Sequence, residues 1–403
     1  MRLPDQGRTP EELFATMRER KRADADWRGG RTFSLVYPAS PEIDEVLTEA
    51  NLLYLFENAL NPARFPSLKQ MEDEVVSMTA SVLRAPDGAG GSMTSGGTES
   101  ILMAVKTARD EAGVDSPSLV APISAHPAFA KAAHYLGIEL RQARLDADLR
   151  CDVEHALSLV DGSTVLMVGS APGYPHGVID PIEELAAAAA ERGIAFHTDA
   201  CLGGFLLPFM ERLGHEVPAW DLRVPGVTSI SADVHKYGYA TKGASVIVHR
   251  DRHRLEHQGF LYDAWPGGRY GSRALAGARA ASPIAAAWAV MTHLGWEGYR
   301  AQVSRILDTV ARVREAIGSI DGLHLWGDPV ASVLAFGSDS HDIFAVGDVM
   351  DDLGWHLDRQ SGPDALHMMI SPAHDAVVSG FTDDLRRAVE AATVSRGREA
   401  RYS

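Results

Sequence analysis

From about Met93 onward, short apolar segments that suit β-strands alternate with stretches in which apolar residues have helical spacing. The strand candidates are residues 119–123, 164–168, 194–197, 227–231 and 244–248. Helical patterns lie between them, for example at residues 128–136 and 182–192. Strands that alternate with helices in this way predict an α/β fold, in which a mostly parallel sheet is covered by helices on both faces.

The pattern changes after Pro283. A long helical stretch runs to about residue 317, and short strands and helices then follow at 323–326, 332–336, 344–353, 366–370 and 381–394. This arrangement predicts a small α/β domain carried on a long helix. The first sixty or so residues contain helices and Pro-rich turns but no sheet of their own. We therefore divide the chain into an N-terminal helical segment (1–62), a large domain (63–290) and a small C-terminal domain (291–403).

Composition narrows the class of protein. The chain has 403 residues, 45% of them hydrophobic and 23% charged, which is ordinary for a soluble globular enzyme. Its net charge is −16, and the only dense basic run is Arg18 to Arg22. Nucleic acid is therefore excluded as a partner, because binding the phosphate backbone requires a positive surface.

The cysteines and the hydropathy pattern predict a cellular location. Cys151 and Cys201 are the only cysteines, too few for a disulfide framework or a Cys-rich metal site, so we predict no metal and a reducing compartment. No apolar stretch approaches the roughly 18 residues that a membrane span needs, and the charged N-terminus has no apolar signal core. We expect a cytoplasmic protein without a transmembrane anchor.

Lys236 is the first candidate catalytic residue. It follows an apolar run at 227–230 that is typical of a buried strand, and it stands beside His235. Loss of hydration and a neighbouring cation both lower the pKa of a lysine, and a neutral amine condenses with an aldehyde as a Schiff base. The alternative is an ordinary lysine at the edge of a strand.

The segment from Thr94 to Ser100 is a candidate phosphate site. Gly96 and Gly97 allow backbone amides to approach a ligand, and the start of the helix predicted at 101–110 favours an anion. The hydroxyls of Thr98 and Ser100 add hydrogen-bond donors. The alternative is a loop with a helix cap, and the lack of a Gly-Lys-Ser/Thr sequence excludes a nucleotide P-loop.

Two further polar residues follow predicted strands, where ligands of parallel sheets bind. Asp199 is either a structural carboxylate or the partner of a pyridine nitrogen, whose protonation makes the ring an electron sink. His126 either lies flat on such a ring or is a buried loop residue. Asp199 precedes Lys236 by 37 residues. The order of phosphate loop, carboxylate and lysine is what a pyridoxal phosphate (PLP) site of the aminotransferase-like type requires.

Four segments carry a resemblance to a known family. They are TSGGTESILMA (94–104), PHGVIDP (175–181), DACLGGF (199–205) and SADVHKYGYATKG (231–243). They are similar to the sphingosine-1-phosphate lyases, which belong to the group II PLP-dependent decarboxylases, and the similarity extends over nearly the whole chain. The resemblance implies PLP-dependent transferase fold type I (aspartate aminotransferase-like), with a mostly parallel seven-stranded sheet and a smaller C-terminal α/β domain.

The resemblance also implies roles in binding the cofactor, PLP. Lys236 is then the Schiff-base lysine, Asp199 the partner of the ring nitrogen and His126 the stacking residue. The phosphate and its surroundings are then contacted by Gly96, Gly97, Thr98 and His235. Gly271 and Ser272 of the neighbouring subunit are implied to hold the same phosphate, which makes the protein a homodimer with shared active sites and assigns the N-terminal segment to the dimer and the site.

The residues near the substrate match the family pattern less fully than the residues near the cofactor do. Tyr174, Lys242 and Tyr37 match family positions near the substrate, although Lys242 by itself is typical of a surface lysine. The family has Asn-Pro-Leu-His-Pro where this chain has Asn58-Ala-Leu-Asn61-Pro62, so a neutral Asn61 stands where a histidine near the substrate phosphate is expected. Residues 273–279 also differ. The substrate is then either a long-chain phospho-sphingoid base or a smaller polar amine or amino acid.

Three functions follow. The first is a PLP-dependent carbon–carbon lyase that cleaves a 2-amino-3-hydroxy substrate such as sphingosine 1-phosphate into an aldehyde and phosphoethanolamine, with Lys236 or Tyr174 as the base. The second is an amino-acid α-decarboxylase, for which Arg359 is a candidate cation unless it is a surface arginine. The third is a non-catalytic binding protein, against which the presence of Lys236, Asp199 and His126 together argues.

Overall fold

The computed structural model describes residues 2–397 and Ala400. The helices are α1 Pro10–Lys21, α2 Pro41–Leu53, α3 Pro66–Val82, α4 Gly97–Ala112, α5 Ala128–Leu136, α6 Val153–Ser158, α7 Ile182–Glu191, α8 Leu207–Arg212, α9 Arg254–Gln258, α10 Ser282–Gly318, α11 Ile343–Asp352 and α12 Val378–Ala391. The strands are β1 Gly90–Thr94, β2 Ser118–Pro122, β3 Glu139–Ala143, β4 Thr164–Ser170, β5 Ala195–Asp199, β6 Ser229–Ala232, β7 Ser245–His249, β8 Phe260–Tyr262, β9 Tyr270–Ser272, β10 Leu323–Leu325, β11 Val333–Ser338, β12 Asp358–Gln360 and β13 Ala365–Met369.

The central sheet has seven strands in the order β1-β7-β6-β5-β4-β2-β3. Only β7 runs against its neighbours β1 and β6, and the other pairs are parallel. Neighbouring residues of one strand pack into different cores, Leu119 into one and Val120 into the other, so both faces are covered. The predicted fold class is confirmed.

The sequence pattern missed the two edge strands of this sheet. β1 begins with two glycines, and β3 reads Glu-Leu-Arg-Gln-Ala with exposed or half-buried side chains at all but its last position. Neither segment carries the continuous apolar run of a buried strand, because an edge strand of the sheet is covered less fully.

The small domain contains a four-stranded antiparallel sheet in the order β10-β11-β13-β12, with α11 packed on β13. The pattern missed the short strand β12 and the β8–β9 hairpin. The helix α10 joins this domain to the large one and is interrupted at Gly295, where φ is 51°. The predicted boundary at residue 290 falls inside α10, and the three-part division of the chain remains a prediction.

The N-terminal segment has no sheet of its own but adds an extended strap to the small domain. Thr32 forms an isolated bridge with His356, and the backbone amide of Met369 donates to the carbonyl of Phe33. The Phe33 ring stacks on His374 at 4.3 Å between centroids. This strap brings residues 34–37 to the junction of the two domains. Within residues 2–397, no helix has the length and apolar character needed to cross a membrane.

Candidate active site

A cavity of about 410 Å³ lies at the carboxyl ends of the central strands β4, β5 and β6. Eight of the predicted site residues line it together, namely Gly96, Gly97, Thr98, His126, Tyr174, Asp199, His235 and Lys236. They come from five separate stretches of the chain, and parallel strands bring those stretches to one edge of the sheet. The cavity is therefore the candidate active site.

Lys236 lies in the turn that follows β6 and is paired with a carboxylate. Its Nζ lies 3.1 Å from Oδ2 of Asp233, whose side chain is almost fully buried. Burial lowers the pKa of the Lys236 ammonium, but Asp233 and weaker contributions from Tyr37, Cys201 and Asp199 together raise it well above its ordinary value. The prediction of a lowered lysine pKa is wrong, because the sequence argument did not include Asp233.

The role predicted for His235 as a neighbouring cation is also corrected. Burial lowers the pKa of the His235 imidazole, with the positive charges of Lys242 and Lys236 adding to the decrease, and Asp233 only partly opposes it. The ring is therefore neutral at pH 7. Its Nε2 lies 3.7 Å from Oδ2 of Asp233. Because the ring is neutral, His235 lines the cavity without adding a charge to it.

The predicted phosphate loop has the backbone shape that a close ligand requires. Gly96 has φ +154°, a conformation that other residues rarely adopt, and α4 begins at Gly97. A Cβ at Gly97 would stand 2.7 Å from both Oδ2 of Asp233 and Sγ of Cys201. The backbone at Gly97 thus borders the lysine pocket directly. The backbone amides at the N-terminus of α4 favour binding of an anion there.

Glu99 supports this loop, although the sequence analysis gave it no role. The Oε2 atom accepts hydrogen bonds from the Ser95 amide at 2.7 Å and the Ser95 hydroxyl at 2.5 Å, while Oε1 accepts from the Leu275 amide at 2.7 Å. Ser100, predicted to donate to the phosphate, is instead fully buried and hydrogen-bonded to Thr94 and Ser245. A capping-box motif did not signal this contact, because that motif needs a spacing of three residues and Glu99 follows Ser95 by four.

We expect Gly97→Ala to weaken cofactor affinity by at least about tenfold, because the new methyl group enters the space beside Asp233 and Cys201. The matched control is Gly113→Ala at the other end of α4. Gly113 has φ +62°, and no atom lies within 4 Å of the position that an alanine methyl group would take, so this variant carries backbone strain without filling the cavity. Titration of each apoprotein with PLP measures the difference, and equal affinities in the two variants would contradict the expectation.

Asp199 ends β5, as predicted, and is held rigidly. Its Oδ1 accepts from the amide of Cys201 at 3.0 Å and the hydroxyl of Ser231 at 3.4 Å. Behind it, the buried His197 is hydrogen-bonded to Ser231 and to Ser229. A carboxylate fixed in this way and facing the cavity suits a protonated pyridine nitrogen.

His126 forms another wall of the cavity. Its Nδ1 accepts a hydrogen bond from the Ala128 amide at 3.1 Å, which places the ring proton on Nε2. Burial lowers the pKa of the imidazole despite the opposing charge of Asp199, so the ring is neutral at pH 7. A neutral, anchored ring is suited to stacking on a flat cofactor.

The residues predicted near the substrate meet at the junction of the domains. The Tyr174 hydroxyl donates to Oδ2 of Asp358 at 2.5 Å. Lys242 is exposed as a residue, but its ammonium turns inward, 4.8 Å from the centre of the Tyr37 ring, and donates to the His235 carbonyl at 3.3 Å. Desolvation there, with the charge of Lys236, lowers the pKa of Lys242 to about 8. Tyr37 and Lys242 therefore stand together beside the lysine pocket.

Arg359 does not line this cavity, which corrects its assignment to the substrate. The prediction of a surface arginine is also wrong, since the residue is only 3% exposed. Its Nη2 lies 2.8 Å from Asp348 and 2.7 Å from Asp351, so two carboxylates neutralise the guanidinium within the small domain. Arg359 is on β12, which packs inside the domain, and the sequence offered no pattern for so short a strand.

Asn61, Gly271 and Ser272 also lie outside the cavity of their own chain. The side chain of Asn61 is exposed and caps the turn before α3, accepting from the Ala63 amide at 3.1 Å. Gly271 and Ser272 line a separate cavity of about 360 Å³ on the β8–β9 hairpin side. The roles implied for Gly271 and Ser272 involve a second subunit, and that implied for Asn61 involves the substrate phosphate. All three remain predictions.

The residues of the cavity fit PLP. A glycine cradle at a helix N-terminus suits its phosphate, the anchored carboxylate of Asp199 suits its ring nitrogen, the flat ring of His126 suits its face, and the buried amine of Lys236 suits its aldehyde. Fold and site together define a PLP-dependent enzyme.

Comparison with known proteins agrees with this class. Residues 32–337 match the family model described as the pyridoxal-dependent decarboxylase conserved domain, so the chain belongs to the pyridoxal-dependent decarboxylase family and is a PLP-dependent lyase. It is 42% identical to a sphingosine-1-phosphate lyase of Arabidopsis thaliana over 398 residues, 96% of this chain and 73% of that protein. It is 35% identical to a probable L-tyrosine/L-aspartate decarboxylase of Methanothermobacter thermautotrophicus, over 79% of this chain and 87% of that one.

A solved structure gives the same relationship. The sphingosine-1-phosphate lyase of Burkholderia pseudomallei superimposes with a TM-score of 0.94 at 41% identity, covering 97% of this chain and 93% of that one. The fold class, the PLP cofactor and the resemblance to the sphingosine-1-phosphate lyases are confirmed.

Proposed function

We propose that this chain is an aldehyde-lyase that cleaves sphingosine 1-phosphate, or a closely related 2-amino-3-hydroxy phosphate, into a long-chain aldehyde and phosphoethanolamine. The observation that carries the proposal is that one cavity joins the PLP residues Lys236 and Asp199 to a phenol, Tyr174, with the ammonium of Lys242 beside it. The amine of the substrate would meet the cofactor, its hydroxyl would meet Tyr174, and its phosphate would meet Lys242. The names of the relatives from Arabidopsis and Burkholderia support the same reaction.

Each residue of the cavity has a part in this reaction. When bound, PLP supplies the electron sink that makes cleavage between Cα and Cβ possible. Lys236 would hold the cofactor through its amine. Asp199 would keep a proton on the ring nitrogen, and His126 would hold the ring plane. Tyr174, which lines the cavity, is placed to take the proton of the substrate hydroxyl. Lys242 lies beside the cavity, where its ammonium can attract the substrate phosphate.

The α-decarboxylase is the alternative on the same scaffold, and it would need a cation for the substrate carboxylate or an apolar pocket that destabilises it. Arg359, the cation predicted for that role, is already neutralised by Asp348 and Asp351. Product analysis tests the assignment. Incubation with sphingosine 1-phosphate should release a fatty aldehyde, whereas release of carbon dioxide from an amino acid and no aldehyde would reject the proposal.

The substrate phosphate is tested by comparing phosphorylated and unphosphorylated sphingoid bases, each with the parent protein and with Asn61→His. If Asn61→His binds the phosphorylated base more tightly than the parent protein does, and binds the unphosphorylated base equally well, the phosphate site includes this position. Equal turnover of both bases would show that the phosphate is not recognised.

The lowered pKa of Lys242 predicts a pH dependence for substrate capture. The ammonium is charged below its pKa of about 8 and neutral above it, so kcat/KM for the phosphorylated substrate should fall as the pH rises through about 8. Lys242→Ala should raise KM about tenfold to a hundredfold and remove this decline, because a charge-assisted hydrogen bond is lost. Lys242→Arg is the matched control, since it keeps the charge at all these pH values. A decline that persists in Lys242→Ala would assign it to another group.

We also infer that the active enzyme is a homodimer in which Gly271 and Ser272 complete the phosphate site of the other subunit. Large apolar side chains are exposed on that hairpin, just after it and in the loop between α2 and α3, and a soluble monomer rarely exposes a large apolar patch. They are Phe56, Leu60, Phe260, Leu261, Trp265 and Leu275, and Phe56 is 92% exposed. Sedimentation equilibrium should find twice the chain mass, and a monomer with full activity would reject shared sites.

Two further assignments remain proposals. The division into residues 1–62, 63–290 and 291–403 is supported by the two separate sheets and by the break in α10 at Gly295. A cytoplasmic location is supported by Cys151 and Cys201, which are both unpaired thiols and buried.

A further inference from the structure

The hydroxyl of Tyr174 makes a short hydrogen bond to a carboxylate from the other domain. It donates to Oδ2 of Asp358 at 2.5 Å, across 184 positions in the chain. The Asp358 side chain is only 8% exposed, so solvent contributes little to this contact. Because Tyr174 donates its proton to Asp358, its oxygen presents lone pairs to whatever occupies the cavity.

Two more parts of the chain contact this pair of residues, one at the carboxylate and one at the Tyr174 ring. Ser34, on the N-terminal strap, donates to Oδ1 of Asp358 at 3.3 Å. The ring of His367, fully buried on β13, lies against the Tyr174 ring with 4.2 Å between centroids. The strap, the large domain and the small domain therefore meet at Asp358.

The ring of His367 continues the line of polar groups. Its Nε2 bonds to the carbonyl oxygen of Tyr174 at 2.9 Å, and a carbonyl can only accept, so Nε2 carries a proton. Its Nδ1 lies 3.8 Å from Oδ2 of Asp358 and makes no hydrogen bond within residues 2–397. A buried ring nitrogen without a hydrogen bond is costly unless it has a use. His176 is a further titratable neighbour of His367, and burial lowers its pKa to about 4.

We infer that Tyr174 and Asp358 form a proton relay that removes the proton of the substrate hydroxyl, with the His367 ring packed against Tyr174 to position it. The inference rests on the proposed function. The substrate O–H bond breaks and a Tyr174 O–H bond forms, while the original Tyr174 proton passes to Asp358. The substrate oxygen then forms its carbonyl as the Cα–Cβ bond breaks, and that bond's electron pair stays on Cα. Tyr174 then gives its proton to Cα and takes its original proton back from Asp358, so the cycle ends with no net change in the protein.

This relay makes Tyr174 the base that takes the proton of the substrate hydroxyl. Lys236 faces the carboxylate of Asp233, with Nζ 3.1 Å from Oδ2, and is the residue assigned to hold the cofactor. Tyr174 instead has an acceptor that takes its proton. Asp358 accepts the proton through Tyr174, and His367 positions the Tyr174 ring. Neither of them is among the described residues that line the cavity.

The test uses Asp358→Asn, Tyr174→Phe and the double variant, with sphingosine 1-phosphate as substrate. We expect Asp358→Asn to lower kcat about a hundredfold with KM changed less than about threefold, since general-base assistance is lost and binding is kept. The double variant should lose no more than Tyr174→Phe alone, because the two residues act as a unit. Additive losses, or a kcat for Asp358→Asn equal to that of the parent protein, would overturn the relay.

The matched control is Asp351→Asn. It removes a carboxylate that pairs with Arg359, the neighbour of Asp358 on β12, without contacting Tyr174. It should keep the parent kcat, and an equal loss in both variants would assign the effect to a loosened small domain.

A binding measurement does not depend on turnover. Sphinganine 1-phosphate lacking its 3-hydroxyl should bind to Asp358→Asn and to the parent protein with equal affinity, because the relay acts only on that hydroxyl. Weakened binding to Asp358→Asn would indicate a structural role for Asp358. If the parent protein and Asp358→Asn release aldehyde at the same rate, the relay alone is rejected. If the parent protein releases no aldehyde, the proposed function is rejected as well.

Discussion

Lys236→Ala should lose both the visible absorbance of the bound cofactor and lyase activity, with a decrease in kcat/KM of about a thousandfold or more. The reason is geometric. Lys236 is a buried amine in the cavity, paired with Asp233 at 3.1 Å and held at the end of β6. Covalent attachment of PLP requires an amine at this position, and an alanine supplies none. Absorbance spectra after addition of PLP and the rate of aldehyde release measure the two effects.

The control for Lys236 is Lys131→Ala. Lys131 lies on α5, where its ammonium stands 5.6 Å from the centre of the Tyr135 ring and outside the cavity. Reduction of the PLP-loaded protein with borohydride should label a single peptide, the one containing Lys236, in both the parent and Lys131→Ala. A label on another lysine would contradict the assignment of the cofactor lysine, and with it the function.

Asp199→Asn should lower kcat by at least about a hundredfold while the protein still binds PLP. The carboxylate is fixed by the Cys201 amide and the Ser231 hydroxyl, and an asparagine of the same size keeps those contacts but loses the charge. Without that charge the ring nitrogen is not held protonated, and the carbanion at Cα loses its sink. Single-turnover kinetics isolate this chemical step.

The comparison for Asp199 is Asp221→Asn. Asp221 is equally buried in the large domain but lies outside the cavity, where it pairs with Arg84 and Arg223. Loss of this charge should lower the free energy of unfolding and leave kcat near that of the parent protein. Similar kcat losses in Asp199→Asn and Asp221→Asn would show that destabilisation, not ring electronics, controls the rate.

The pairing of Lys236 with Asp233 shows how a local argument fails at a buried site. Desolvation alone lowers the pKa of a lysine, and that effect is present here. The nearby carboxylate outweighs it, because the attraction between two charges about 3 Å apart is strong where little water screens it. Lys236 is therefore protonated before it meets PLP, and its proton must leave before the amine reacts with the aldehyde.

The residues predicted correctly to share the cavity have one property in common. His126, Asp199 and Lys236 each follow a buried apolar strand, and parallel strands end at one edge of a sheet. The alternation of strands and helices, and the position of these residues at or just after the strand ends, are enough to predict that they lie together. The same pattern could not place Arg359, which lies on a strand of only three residues inside the small domain.

Local residue order and the alignment of parallel strands were enough to predict the α/β class, the chemistry of the loop and the strand ends, and the cofactor. The pairing of charges could be read only from the three-dimensional packing. The contacts of Asp233 with Lys236, and of Asp358 with Tyr174 across 184 residues, depend on the packing of separate segments, and no short-range pattern encodes that packing. These contacts set the protonation of the site, and the fold alone creates them.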